Sequence, residues 1–371
     1  MDTIRLTIDG QEVTAPKGAT VLEAARGAGI YIPTLCAHSR LKPYGGCRMC
    51  IVEIEKMRGL PASCTTPAEE GMVVQTRTER VERMRRAVLE LLLSEHPYEC
   101  LLCNRRERCE SFDTCQRRIK VTEGCVICPK NGRCELQVVA DHIKLTEMRL
   151  RSHRRAMPLE SSNPLIERNH DLCILCARCT RACDELQAVG AISLINRGAN
   201  TFVGTSYHRP LEESDCVFCG HCVEACPTGA IVEKPGALKG VADKKVKTVC
   251  GYCGVGCGMY LEVKDGRIIR VSGDPDAPVN KGSLCVKGRF GMEFVHSAER
   301  LTKPLIKKDG KFVEATWDEA LTLIASKLSE VQPGEFAAVA SGRCTNEDNY
   351  LLQKFTRGVM GTNSIDHCAR L

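Results

Sequence analysis

The sequence predicts an α+β multidomain protein strung from small modules, and three observations predict it. First, 371 residues exceed what one ordinary hydrophobic core organises. Second, the 25 cysteines fall into repeated Cys-x-x-Cys groups, and the chain's start has no basic or apolar signal regions, so the groups read as metal sites rather than disulfides. Third, short strand and helix patterns alternate with these groups until Lys303-Pro304, after which cysteines nearly vanish and a longer helix–strand–helix pattern begins. No apolar run approaches the ~20 residues of a membrane helix, so no membrane insertion and a reducing, cytoplasmic location are expected.

The elements follow in order. In residues 1–78, Ile4, Leu6 and Ile8 alternate as a strand, and Asp9-Gly10 turns into a second strand around Val13. Thr20 and Glu23 then have capping-box spacing and open a short helix ending near Gly27 or Gly29. Residues 79–140 open on a long helix with Val81, Met84, Val88 and Leu91 on one stripe, stopped by His96-Pro97. Residues 98–135 are so dense in cysteine that bound metal must organise them. Residues 141–165 carry Arg149, Arg151, Arg154 and Arg155 and read as a linker or docking surface. Two near-repeats, 173–183 and 216–226, fill 166–236. Residues 245–300 hold a further cysteine group with strand patterns at 259–263 and 267–271. From 301 to 371, an amphipathic helix (317–328), an apolar stretch (336–340) and a helix from Asn346 read as the opening of an α/β domain.

The cysteine spacings carry the chemistry. Cys36, Cys47, Cys50 and Cys64 read C-x10-C-x2-C-x13-C, with Gly45-Gly46 letting the backbone wrap close. His96, Cys100, Cys103 and Cys109 read H-x3-C-x2-C-x5-C. Cys125, Cys128 and Cys134 repeat C-x2-C-x5-C without the histidine, and Cys115 is left to supply a fourth ligand. An all-thiolate site on Cys100, Cys103, Cys109 and Cys115, or a single cluster for the whole module, are the alternatives. Cys173, Cys176, Cys179 and Cys183 give C-x2-C-x2-C-x3-C, and Cys216, Cys219, Cys222 and Cys226 repeat it. Cys250, Cys253, Cys257 and Cys285 give C-x2-C-x3-C-x27-C among glycines. Cys344 and Cys368 read as buried thiols. Zinc is the competing occupant of these groups.

Charge excludes a nucleic-acid partner. The formal net charge is +6, but a cluster on four thiolates carries about −2, and six such centres, one with a histidine replacing a thiolate, would add about −11 and bring the loaded protein to about −5.

These motifs resemble known families along nearly the whole chain. The first group resembles the β-grasp [2Fe–2S] domain of complex I large subunits and [FeFe] hydrogenases. The second resembles their His/Cys [4Fe–4S] module, whose usual ending is similar to the run from Asn131 to Gln137. The repeats resemble a bacterial two-[4Fe–4S] ferredoxin domain, in which the fourth cysteine serves the other cluster. That implies Cys173, Cys176 and Cys179 with Cys226, and Cys216, Cys219 and Cys222 with Cys183. The last group resembles the [4Fe–4S] domain of molybdopterin oxidoreductases, where Lys287 would lie between cluster and pterin. Asn346-Glu347-Asp348-Asn349-Tyr350 and Asp366-His367-Cys368-Ala369-Arg370-Leu371 resemble the formate dehydrogenase branch.

The resemblance implies one [2Fe–2S] and four to five [4Fe–4S] clusters. It also implies a molybdenum or tungsten bis-molybdopterin guanine dinucleotide in the full-length protein. No catalytic residue is expected within the chain: the metal-binding selenocysteine or cysteine is expected immediately after Leu371, with a UGA codon as the reason for the ending. Formate and CO2 are the implied substrates, and a flavin/NAD(P)-binding or other iron–sulfur subunit is the implied partner. A non-catalytic electron conduit resembling the complex I large subunit, or a hydrogenase-associated subunit, is the alternative.

Overall fold

The computed structural model describes residues 2–104, 109–113, 115 and 124–368, with the side chain of Cys368 excepted. It divides into two compact units, Met1–Asp243 and Lys244–Leu371.

The first unit opens on a mixed sheet. Strands β1 (Thr3–Ile8) and β2 (Gln11–Pro16) form a hairpin. Asp9 and Gly10 both have positive φ, 50° and 82°, the conformation a two-residue type I′ turn requires. Helix α1 (Val21–Gly27) starts in a capping box between Thr20 and Glu23. With β3 (Glu53–Ile54) and β4 (Val73–Gln75) the sheet order is β2-β1-β4-β3, β1 and β4 running parallel. Leu6, Ile8, Val13, Val21, Leu22 and Val74 share one core under this sheet. Burying each large apolar side chain contributes roughly 1.5–3 kcal/mol against the entropy of ordering so short a module.

Helix α2 (Glu79–Leu93) begins at Thr78, whose side chain accepts from the Val81 amide. Its buried row is Val81, Arg85, Leu89 and Leu93, whereas Met84 and Leu91 are 47% and 63% exposed. The stripe expected through Met84 and Leu91 is therefore corrected. The cause is Arg85, which donates to the carbonyls of Thr76 (3.0 Å) and Ile51 (2.8 Å) and turns its own row inward. Helix α3 (Glu135–Ile143) packs Leu136, Val139 and Ala140 against Leu89 and Leu93. The basic stretch is pinned by ion pairs to α2 and the residues after it. Arg149 pairs with Glu90 and Arg154 with Glu99, both at 2.9 Å, and Arg155 pairs with Glu95.

The near-repeats give β5 (Ile166–Arg168), α4 (Arg178–Arg181), β6 (Ser193–Ile195), β7 (Phe202–Gly204), α5 (His221–Ala225) and β8 (Ile231–Glu233). β5 pairs with β8 and β6 with β7, both antiparallel, so the first repeat's opening strand lies beside the second repeat's closing one.

In the second unit β9 (Lys244–Val249), β10 (Gly258–Lys264) and β11 (Arg267–Gly273) form an antiparallel sheet in the order β11-β10-β9, followed by α6 (Val286–Phe290). A hairpin of β12 (Leu305–Lys308) and β13 (Lys311–Glu314) leads to α7 (Trp317–Ser329), which starts in a Thr316–Glu319 capping box. β14 (Ala338–Ser341), α8 (Asn346–Gly358) and β15 (Ile365–Cys368) complete a βαβ unit with parallel strands. Among the described residues no helix is long and apolar enough to cross a membrane.

Candidate metal centres

The described cysteines are thiols without a disulfide among them. No three or more His, Cys, Asp or Glu side chains among the described residues converge on single-ion geometry, so the groups are described thiol by thiol.

Cys36, Cys50 and Cys64 are 1%, 0% and 4% exposed in the loops beside the N-terminal sheet. The Cys47 amide donates to Cys36 Sγ at 3.4 Å. Thiol hydrogen bonds from Cys47 and Cys64 drive Cys36 toward thiolate, and one from Cys64 does the same for Cys50. Cys47 and Cys64, as the donors, are pushed the other way. Four sulfurs sharing protons, three of them buried and one with backbone amides aimed at it, fit a thiolate-ligated cluster: iron would replace the shared protons. Arg181 of α4 donates to the Cys36 carbonyl (2.6 Å) and the Lys42 carbonyl (2.8 Å), which ties this loop to the helix between Cys179 and Cys183.

The repeats cross over. Burial, with charge on Cys226 adding to it, raises the thiol pKa of Cys173 to about 11 and of Cys176 to about 12. Cys179, wholly buried, is raised well above the usual range by burial, then by Cys176, Cys226 and Cys173. In the second group burial raises Cys222, and Cys219, Cys216 and Cys183 add to it. A cavity lined by Cys183, Cys216, Cys219 and Cys222 is otherwise walled mostly by apolar side chains, with Gln187, His221 and Arg168 as the polar ones. Thiols this deep ionise only beside compensating positive charge, which is what iron supplies.

Arg168 is the residue that sequence reasoning missed. It is 4% exposed on β5, and one edge of its guanidinium pairs with Glu160. Its Nε and Nη1 have no hydrogen-bond partner. Nothing in the run Ile166-Glu167-Arg168 signals a buried cation facing a thiol cavity.

Between α2 and α3, the Cys125 amide donates to Cys100 Sγ at 3.2 Å. Cys134 Sγ lies 3.6 Å from the Pro227 carbonyl, and a Cβ on Gly229 would meet Cys128 Sγ at 2.6 Å. His96 is buried, which pushes its pKa down to about 4; its ring bonds the Leu172 carbonyl and Nδ1 is without a partner. The Cys109 thiol is raised by burial and then by the charges of Asp113, Cys103, Cys100 and Cys115.

In the second unit Cys250 is raised by burial and then by Cys285 and Cys253, and Cys257 likewise by burial and then by Cys250, Cys253 and Cys285. The Cys250 amide donates to the Cys257 carbonyl at 2.8 Å. A Cβ on Gly273 would meet the Gly282 carbonyl oxygen at 2.0 Å, so the segment leading to Cys285 passes directly against β11. Lys287 is exposed on α6, two residues after Cys285. Cys344 is exposed, so the expectation of a buried thiol is corrected there: it sits in the short loop between β14 and α8. Residues 369–371 and the Cys368 side chain lie outside the described residues.

Five family models match in series. Residues 1–79 match a 2Fe-2S iron-sulfur cluster binding domain and 85–117 an NADH-ubiquinone oxidoreductase-G iron-sulfur binding region. Residues 163–232 match the ferredoxin-like domain of NADH-quinone oxidoreductase subunit 3. Residues 243–297 match the molybdopterin oxidoreductase Fe4S4 domain, and 300–371 match molybdopterin oxidoreductase itself. In series these models read as iron–sulfur domains of the NADH-quinone oxidoreductase type followed by the opening of a molybdopterin oxidoreductase domain. Similar proteins include NADPH-Fe(3+) oxidoreductase subunit alpha of Geobacter sulfurreducens, 35% identical over 99% of this chain and 40% of its own length. A Staphylococcus haemolyticus protein named provisionally as a formate dehydrogenase is 30% identical over 98% of this chain and 39% of its own. A solved NAD+-reducing [NiFe]-hydrogenase chain is similar at TM-score 0.53 and 28% identity, covering 64% of this chain and 89% of that one. The chain thus spans about two fifths of the length of the curated relatives it matches. It carries 2Fe–2S, 4Fe–4S and molybdopterin-family domains.

Proposed function

We propose that the whole protein interconverts formate and CO2 at a molybdenum or tungsten pterin centre, and that this chain relays the electrons to a flavin- and nicotinamide-binding partner subunit. Clusters supply one-electron transfer, which lets a two-electron oxidation feed a carrier one electron at a time. The donor sets lie in sequence: Cys250–Cys285 beside Lys287, the crossed pair, then the N-terminal group tied to α4 by Arg181. The formate assignment rests on a single observation. The run Asp366-His367-Cys368 occupies β15, beside and parallel to β14, and Cys368 stands opposite Ser341 at the carboxyl end of that strand, where open α/β sheets place their ligand sites.

A second reading, a conduit without formate chemistry, is supported by the nicotinamide-linked names of the Geobacter and hydrogenase relatives. The experiment that separates them adds formate, or NAD(P)H, anaerobically to the oxidised full-length protein with its partner subunit, and follows the clusters by EPR. Formate should reduce them. Reduction by NAD(P)H with none by formate removes the formate reading and leaves the conduit.

A further inference from the structure

Two arginines from neighbouring modules reach the cysteine loops of the N-terminal sheet, and among the described residues no carboxylate pairs with either. Arg85 of α2 is 3% exposed. It donates from Nη1 to the Thr76 carbonyl and from Nη2 to the carbonyl of Ile51, the residue after Cys50. Arg181 of α4 donates from Nη2 to the carbonyl of Cys36 itself and from Nη1 to that of Lys42. The Nε of each is buried without a hydrogen-bond partner. We infer that Arg85 and Arg181 are positioning residues for the cluster on Cys36, Cys47, Cys50 and Cys64: they hold its ligand loops, and their fixed positive charge raises its reduction potential. The inference rests on the iron–sulfur reading of this site and is independent of formate.

Charge accounting leads there. A buried guanidinium bonded only to neutral carbonyls has given up its hydration and calls for a nearby anion. Burial pulls the Arg85 pKa down to about 10, and the opposing pull comes first from Cys50, ahead of Asp9 and Glu82. A [2Fe–2S] centre on four thiolates carries about −2, and reduction adds one more negative charge. Cations fixed beside it therefore favour the reduced form.

Both grips are anchored on ligand residues. On the Cys36 side, the Arg181 guanidinium carbon lies 4.6 Å from the centre of the Tyr44 ring. That ring fills the space a Cβ on Gly46 would need, with Cε1 2.5 Å away. The amides of Gly46 and Cys47 in turn bond the Cys36 sulfur, so contacts run unbroken from guanidinium to ring to ligand loop. On the Cys50 side, the Oγ and the amide of Ser63 both donate to the Cys50 carbonyl, at 2.7 and 3.0 Å. The loop that Arg85 holds through Ile51 is thereby fixed at the ligand as well.

The test is an anaerobic, EPR-monitored redox titration of the [2Fe–2S] signal in the full-length protein. The variants are Arg181→Met, Arg181→Lys, Arg85→Met, Arg85→Lys and the double methionine variant, with iron content and the [4Fe–4S] signals as controls for folding. Each methionine variant should lower the equilibrium constant for reduction about tenfold, or about 59 mV. The double variant should lower it about a hundredfold, because the two arginines share no partner. Each lysine variant should recover most of the shift, since the charge stays although the two-pronged bond is lost. Arg181 is half-buried, so its variants decide the matter if Arg85→Met fails to take up iron. A change of less than about twofold in Arg181→Met, or about 18 mV, would overturn the inference. So would a lysine variant shifted as far as its methionine counterpart, because the cluster would then respond to the lost grip and not to the charge. An unmodified protein without a [2Fe–2S] signal would instead overturn the reading of the site itself.

Discussion

Replacing Arg168 with methionine removes one buried positive charge from the wall of the cavity formed by Cys183, Cys216, Cys219 and Cys222 while keeping most of the side chain's volume. Reduction adds one negative charge to a cluster held there, so a neighbouring guanidinium favours the reduced form. At a charge separation of about 6 Å and an effective dielectric of about 20, one unit charge is worth about 3 kcal/mol. Glu160 pairs with the same guanidinium and is itself 38% exposed, so solvent and the carboxylate together offset part of that. Halving the figure leaves about 1.4 kcal/mol, and for a one-electron couple this corresponds to about 59 mV. The orphaned Nε and Nη1 would add hydrogen bonds to sulfur in the same direction. An EPR-monitored redox titration of Arg168→Met should therefore move one [4Fe–4S] potential down by about 60 mV and leave the [2Fe–2S] potential in place. A shift below about 15 mV, or one upward, would refute the reasoning that the guanidinium faces the cluster.

Four further outcomes follow from the same geometry. Gly229→Ala puts a methyl 2.6 Å from Cys128 Sγ and 3.1 Å from Leu172 Cδ1; it should destabilise the first unit by about 1–3 kcal/mol and alter the EPR of the Cys128 cluster alone, as chemical denaturation and spectra will check. Gly273→Ala meets a backbone carbonyl at 2.0 Å that cannot swing aside, so iron analysis should show the Cys250–Cys285 cluster lost and the others retained. Cys183→Ala should abolish the same signal as Cys216→Ala and spare the one abolished by Cys173→Ala; the reverse pattern would exclude the crossed pairing. For Glu160, burial pushes the carboxyl up, but the bond to His170 and the charge of Arg168 outweigh it, so its folded pKa is depressed. Its stabilisation is therefore present above the ordinary carboxylate range and lost as pH falls through the depressed value. Glu160→Gln should flatten the acid limb of a melting-temperature profile, and an unchanged limb would show that the ion pair contributes nothing.

The sequence carries much of this because thiol ligation and helix capping are local. Thr20 with Glu23, and Thr316 with Glu319, form the reciprocal bonds their spacing requires. The alternation of Leu6 and Ile8 dictates which side of β1 is buried. What is not legible depends on distant partners. Met84 and Leu91 look like core residues of α2, but Arg85 finds carbonyls 9 and 34 residues away and rotates the helix. The arginines at 149, 154 and 155 look like a free cationic surface until their glutamates 55 to 60 residues earlier are seen. Arg168 is an ordinary strand residue by sequence and a cavity wall by structure. Ligand partition among Cys100 to Cys134 fails for the same reason, since identical spacings cannot say which thiols the fold brings together.

The most direct test of the account is metal and acid-labile sulfide analysis of the anaerobically purified full-length protein. One [2Fe–2S] and five [4Fe–4S] clusters predict about 22 irons and as many sulfides per chain. Zinc in the thiol sites with no sulfide would contradict the account, because closed zinc sites ligate metal without carrying electrons.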